Sequence, residues 1–393
     1  MRARVRKILL AESSLLVRQQ ILRFCKQKRF QVHPICKERK SHGEFHHLHS
    51  RLLQYPEKFM EYYRMRIDTF NYILNNISKH IEKNTRNQKT PIDAVERLAL
   101  TIRFLATGNS FRSLAFSYRI GIATVAKITR EVCAALWTSL VSKHLNRKTN
   151  EEFIKIADEF YSKWGFPNCI GSIDGKHIRC KRPPHSGSMF FNYKHFFSIV
   201  LQGVASADYK FTAIEVGAYG KQSDGGIFEA STLHKLIETG EYEIPEERNL
   251  PGTEIAAPFV MLGDEAYPLR KYLLRPYSKT NLNNDSELFN TMLSKSRKSI
   301  ECAFGIITNK WRLLTKSIET DIYGAELFVK TICLLHNIII DKEGVCMQTL
   351  MQVQQTIPIN MNRQRQYNRS SEAATTIRNN FKEYFVQKNV IFT

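Results

Sequence analysis

Four apolar runs of strand length, followed by two long stretches of helical spacing, set the architecture open to this chain. Cys169–Asp174, Phe196–Ser206, Phe211–Val216 and Phe259–Gly263 are rich in Val, Ile and Phe, and Gly175, Ala207-Asp208 and Gly217 to Gly226 punctuate them. Helical segments over roughly 285–315 and 323–340 come next. Strands first, with helices packing on them, predict an α/β layer architecture over 165–345. The chain has 393 residues, 43% of them hydrophobic, enough to bury such a core and an appended helical module.

Residues 56–150 read as that module, mostly helical and helix-turn-helix-like. Thr90-Pro91-Ile92-Asp93 has the form of a helix start, with Thr as N-cap, Pro at the first helical position and an acid in the first turn. Gly108-Asn109 stops that helix and Ser110 can cap the next, FRSLAFSYRI. Gly121 then turns the chain into ATVAKITREVCAALW, where Val125, Ile128, Val132 and Leu136 line one face. Thr124, Lys127 and Arg130 fall away from that stripe, where they could touch base edges or phosphates in a major groove. An ordinary helical hairpin with a solvated basic face accounts for them equally well.

Charge narrows the function. Lys plus Arg number 58 against 37 Asp plus Glu, a net +21, and polyanions are the natural partners of such a surplus. Residues 1–55 form a basic arm: the first fifty hold twelve Lys/Arg and three acids, as a nucleic-acid contact or nuclear-import segment would. Eight cysteines lack any CxxC pair, and Cys25, Cys36, His46, His47 and His49 lack the short paired spacing of a zinc finger. Reduced thiols fit a nuclear or cytosolic setting. No apolar run of about 18 residues is present, so no membrane span is expected. Residues 346–393 read as a polar tail ending in a short helix, IRNNFKEYFV.

Three carboxylates carry the chemistry. Asp174 ends the strand CIGSID and Asp264 ends FVMLGD. An acid at the end of a buried strand costs desolvation energy unless something compensates it, and two in one domain suggest a shared cation. Glu301 stands one residue off the helical stripe Ile300, Phe304, Ile307 and Trp311, where it could point toward the strand ends. Hard oxygen ligands suit Mg²⁺ or Mn²⁺. Two such ions about 3.5–4 Å apart activate a nucleophile and stabilise the leaving oxygen of a phosphodiester. Singly, each acid has a plainer reading: Asp174-Gly175 as a hairpin turn, Asp264 as a loop cap, Glu301 as a surface partner of Arg297. The order strand-Asp, strand-Asp, helix-Glu favours the catalytic one.

These residues sit in blocks that resemble the PIF/Harbinger superfamily of transposases and the nucleases derived from them. The blocks are RFLATGNSFRSLAFSYRIGIATVAKITREVCAALW, SIDGKHIRCKRPPHSGSMFFNYKHFFSIVLQGVASADYKF, VGAYGKQSDGGIFEASTL, MLGDEAYPLRKYLLRPY, SRKSIECAFGIITNKWRLL and LLHNII, together spanning about 30–385. The resemblance implies a ribonuclease H-like core and a metal-dependent DNA endonuclease or transposase. It places Asp174 of SIDG, Asp264 of GDEAYP and Glu301 of IECAFG on a DDE triad, none of them replaced. Asp224 of QSDGG matches a further family acid, in a supporting role or as an occasional metal ligand. Lys176, His177, Lys181, Lys194 and His195 would contact the DNA backbone, which positions substrate without reading its sequence. A separate Myb-like (SANT/trihelix) partner, location in the nucleus and also the cytoplasm, and a homo-oligomer for pairing two DNA ends are further implications. A domesticated DNA-binding or adaptor protein without catalysis is the rival from another class, and an RNA-processing nuclease of related fold is a third reading.

Overall fold

A computed structural model describes residues 14, 16–17, 32–82, 91–278, 282–356 and 370–388. Most of the basic arm before residue 32 lies outside them, as do Cys25 and Thr90. From there the chain is helical through α1 (Pro34–Lys37), α2 (Arg39–His42), α3 (Glu44–Leu52), α4 (Pro56–Tyr63), α5 (Ile67–Ile81), α6 (Ala94–Thr107), α7 (Phe111–Tyr118), α8 (Ile122–His144) and α9 (Asn150–Trp164). Asp93, not Thr90, is the N-cap of α6; its carboxylate accepts from the Glu96 N–H at 2.8 Å. A charged acceptor makes the stronger cap bond, so the helix starts after Pro91 rather than at it. Gly108, at φ +61°, closes α6, and Ser110 caps α7 by accepting from the Ser113 N–H. After a short turn with Arg119 at φ +54°, α8 buries Val125, Ile128, Val132 and Leu136, the stripe its spacing predicts.

The sheet has the order β3-β2-β1-β6-β7, with β1 (Cys169–Arg179), β2 (Ser198–Ala205), β3 (Phe211–Tyr219), β6 (Val260–Leu262) and β7 (Leu273–Leu274). The first three strands form an antiparallel meander, whereas β6 and β7 run parallel to β1. A separate pair joins β4 (Arg248–Asn249) to β5 (Ala256–Ala257). Asp174 does not end its strand: β1 continues to Arg179 because β2 pairs with it all along, Asp174 lying opposite Gly203. On the other side β6 pairs only as far as Ser172. Past that point β1 has one hydrogen-bonded neighbour, which is why polar residues 174–177 are tolerated there, half-exposed.

Helices cover both faces. α10 (Asp224–Ala230) and α11 (Thr232–Glu238) follow β3, then come α12 (Asn284–Lys310), a 3-10 turn (Arg312–Thr315), α13 (Ile322–Glu343), α14 (Met347–Thr356) and α15 (Glu372–Gln387). One apolar core joins α4–α8 to α13, the second half of α12 and one face of β2, through residues such as Phe104, Leu136, Leu201, Phe304 and Phe328. A second core packs α9 and the start of β1 against the first half of α12 and against α15, whose Phe381 and Phe385 are fully buried. The expected terminal helix is therefore part of the core.

Contrary to the reading that no run is apolar enough, α13 is long and apolar enough to cross a membrane by length and composition. Its most apolar stretch is 72% buried inside the protein. It also carries polar ties that a lipid face would not: Asn337 accepts from the Phe211 N–H and donates to the carbonyls of Phe211 and His144 at 2.7–2.9 Å. Next to it, His336 donates to the Tyr209 carbonyl at 2.8 Å, and burial pulls its pKa down to about 4. The unfolded chain binds that proton near pH 6.5, so stability is complete above 6.5 and is lost as pH falls toward 4, by about 3 kcal/mol in total. Urea titrations at pH 7 and pH 4.5 check this: relative to the parent, His336→Gln should gain stability at pH 4.5 compared with pH 7, and a pH response identical to the parent's would show that His336 contributes none of it.

Candidate active site

α12 lies across the face of β1 that carries Ser172, Asp174 and Lys176. Ser172 Oγ donates to the Ser296 carbonyl of α12 at 3.2 Å, and Lys176 Nζ sits 5.8 Å from the centre of the Phe304 ring. Asp174 therefore projects toward the helix, just where β6 stops pairing with β1. Asp264 lies two residues beyond β6, in a turn its own side chain closes: Oδ1 accepts from the Ala266 N–H at 2.8 Å. Glu301 comes from the middle of α12.

Arg297, one helical turn before Glu301, links these elements. Its Nη2 stands 3.6 Å from Asp174 Oδ2 and 3.8 Å from Glu301 Oε1, with the guanidinium side chain only 7% exposed. The i,i+4 pairing with Glu301 is the one the spacing suggests, but it is buried rather than on the surface. Burial and the charges of Asp264 and Asp224 push the Asp174 carboxyl up to about 7, against the pull of Arg297. Burial likewise raises Glu301 against Arg297 and Lys298, and Asp264 adds to the rise. Burial opposes the charge on Arg297, yet Asp174, Asp264 and Glu301 together hold its pKa above the ordinary value. The carboxylates thus share one electrostatic environment around one guanidinium.

Asp224, the first residue of α10, approaches from the other side of β1. A Cβ at position 175 would collide with its Oδ1, so only glycine lets this acid come so close to the strand. Buried Gln202 of β2 fixes the neighbourhood by donating to the Asp224 carbonyl and to Tyr267 Oη, both at 3.2 Å. Gln202, Tyr267 and the burial of Arg297 escape a reading of the sequence; only the Arg297–Glu301 spacing hints at the last.

Hard oxygen donors in excess over one guanidinium, with Asp174 so far raised, suit a divalent cation. Asp174, Asp264 and Glu301 could hold it, with Asp224 beside them. Among the described residues, no three His, Cys, Asp or Glu side chains stand close enough as placed to enclose one ion. Arg297 bridges two of the acids instead. A cavity of about 240 Å³ lined by Trp137, Val141, Ile173, Val204 and Leu233 lies behind β1, is mainly apolar, and contains none of these carboxylates.

The remaining sequence candidates divide into two groups. Lys176 is half-buried beside Asp174, and exposed Lys181 and Lys194 lie on the connection between β1 and β2. Thr124, Lys127 and Arg130 lie on α8, which packs on α5, α6, α7 and α13. Thr124 and Lys127 are exposed, whereas Arg130 forms an ion pair with Asp321 and donates to Thr320 Oγ1 at 2.6 Å.

Residues 173–337 match a family of DDE superfamily endonucleases. The chain is 27% identical to the protein ALP1-like of Arabidopsis thaliana over 342 residues, 85% of this chain and 82% of that one. It is 27% identical to the protein antagonist of like heterochromatin protein 1, also of Arabidopsis thaliana, over 72% of this chain and 73% of the relative. Against the candidate nuclease HARBI1 of Rattus norvegicus it is 21% identical, over 68% of this chain and 73% of the relative. No solved structure matches the chain. The matched span runs from β1 through α13 and contains all four carboxylates: residues 173–337 are similar to the DDE superfamily endonucleases, and these relatives are consistent with the Harbinger transposase-derived DDE nuclease family that the sequence resembles.

Proposed function

We propose that the chain is a metal-dependent DNA endonuclease of Harbinger type, cutting phosphodiester bonds and, if still mobile, joining the freed 3′-hydroxyl to target DNA. The observation that carries this reading is the gathering of acids from within β1, from the turn after β6 and from α12 around buried Arg297. The meander followed by two parallel strands supports a ribonuclease H-like core. Bound divalent ions, Mg²⁺ or Mn²⁺, would supply a nucleophile of lowered pKa and stabilise charge on the phosphate and leaving oxygen.

The chain's own residues do the rest. Asp174, Asp264 and Glu301 hold the ions, Asp224 supports them, and Arg297 keeps Asp174 and Glu301 turned toward each other. Lys176, Lys181 and Lys194 draw in the DNA backbone, and the α7–α8 pair, read as a helix-turn-helix, adds contacts through Thr124 and Lys127 within a DNA-binding region over 56–150. A Myb-like partner, a nuclear location and a homo-oligomer complete the reading. One relative is named as an antagonist of a heterochromatin protein, which favours a second reading, a chromatin adaptor without catalysis.

The test uses the purified full chain on supercoiled plasmid, with duplex DNA, RNA–DNA hybrid and RNA as a panel. Nicking of DNA in Mg²⁺ or Mn²⁺ that stops in EDTA is the expected result. Intact DNA binding without cleavage in either metal, even with a Myb-like protein added, would leave the adaptor.

A further inference from the structure

The connection between β1 and β2, residues 180–197, is a surface that the carboxylates do not use. No acid occurs from Gly175 to Ser198, while Lys176, Arg179, Lys181, Arg182 and Lys194 all fall there. Large apolar side chains stand out from the same surface: Met189 is 46% exposed, Phe191 38% and Tyr193 47%, with Tyr219 at the end of β3 40% exposed. Cations lie against its rings, Arg179 at 4.4 Å over Phe196 and Lys194 at 5.5 Å over Tyr193.

The rings are held rather than loose. Buried Asn192, between Phe191 and Tyr193, accepts from the Lys194 and Phe196 N–H groups and donates to Ser198 Oγ at 2.9 Å. Phe190 is buried and packs edge-on against Tyr219 at 5.0 Å, and the Lys221 N–H donates to the Met189 carbonyl. Residues 190–193 thus alternate in, out, in, out, so that Phe191 and Tyr193 face solvent from a braced backbone. The surface also adjoins the carboxylates. Tyr193 packs against His177 at 5.3 Å, on the face of β1 from which Asp224 approaches Gly175, two residues along the strand.

We propose that Phe191 and Tyr193 form a stacking platform for unpaired bases of the DNA strand entering the carboxylate site, with Lys181, Arg182 and Lys194 on its phosphates. This rests on DNA being the substrate. Duplex DNA presents mainly phosphates and keeps its base faces covered, so it has no use for exposed rings. A strand with unstacked bases matches rings and cations together, because every base has a face to stack. The enzyme would therefore favour frayed or single-stranded ends over a closed duplex.

The test is fluorescence anisotropy of the full chain in EDTA, where no cleavage occurs, on a single strand, a blunt duplex and a duplex with a 3′ overhang. 2-Aminopurine in the overhang reports stacking directly. Phe191→Ala and Tyr193→Ala should each weaken single-strand and overhang binding by about 5- to 100-fold and abolish the 2-aminopurine quench, with blunt-duplex binding changed less than about twofold. Tyr193→Phe should keep both, which separates stacking from a folding defect. Equal losses on blunt duplex and single strand would overturn the platform. So would no single-strand binding by the parent, the result if this surface serves a protein partner. A parent that binds overhangs through these rings yet never cuts would sink the nuclease reading and leave the platform standing.

Discussion

Asp264→Asn should lower metal-dependent nicking of supercoiled plasmid on the order of a thousandfold or more, while moving the melting temperature by less than about 3 °C. The two halves of that expectation have separate physical grounds. An amide is a poor ligand for a hard cation, and losing one carboxylate removes several kcal/mol of charge stabilisation from the transition state. In the fold, Asp264 Oδ1 accepts from the Ala266 N–H, and an asparagine carbonyl can accept the same bond. Its negative charge also raises Asp174 and Glu301, so neutralising it relieves repulsion inside the site. Nicking rates and thermal melts on parent and variant decide the matter. Unchanged nicking would remove Asp264 from the chemistry, and a large fall in melting temperature would make any loss structural.

How much of this was legible before folding depends on whether a feature is local. The strand runs and the α8 stripe are local patterns, and they appear close to where periodicity puts them. β1 reads short in the sequence because Asp174 followed by Gly175 looks like a strand end. What keeps them in the strand is the cross-strand pairing with β2, which no window on β1 contains. The carboxylates could be singled out by their positions on elements, but their relation to one another depends on α12 crossing β1. Arg297 is the clearest case: an i,i+4 Arg–Glu pair looks the same in sequence on a surface or in an interior, where its energetic meaning is opposite. Phe191 and Tyr193 fail the other way. Nothing local in FFNY marks which rings face outward, and only the inward turn of Phe190 and Asn192 leaves their neighbours outside.

Replacing Arg297 by Gln should destabilise the metal-free protein by about 3–5 kcal/mol, the usual consequence of removing one partner from a buried ion pair. With the guanidinium gone, Asp174 and Glu301 remain beside Asp264 without their buried countercharge. The effect should grow with pH. The Asp174 carboxyl already titrates near 7 in the folded protein against an ordinary 3.8, so the folded state binds the extra proton between those values and loses stability as pH rises through them. Without Arg297 that window widens upward, and the variant should be nearer the parent at pH 5 than at pH 8. A divalent ion held by the same acids does what the guanidinium did, and ligand linkage then stabilises only the folded form. Mg²⁺ should therefore raise the melting temperature of Arg297→Gln more than that of the parent, and EDTA should reverse it. Arg297→Lys should recover only part of the loss, since a single ammonium cannot span two carboxylates as a planar fork does. Denaturant titrations in EDTA and in Mg²⁺, at both pH values, measure all of this on protein that need not be active. A variant as stable as the parent in EDTA would show that Arg297 does not balance the acids. A destabilised variant indifferent to Mg²⁺ would show that the acids gather no cation, and the case for a metal-dependent nuclease would lose its structural basis.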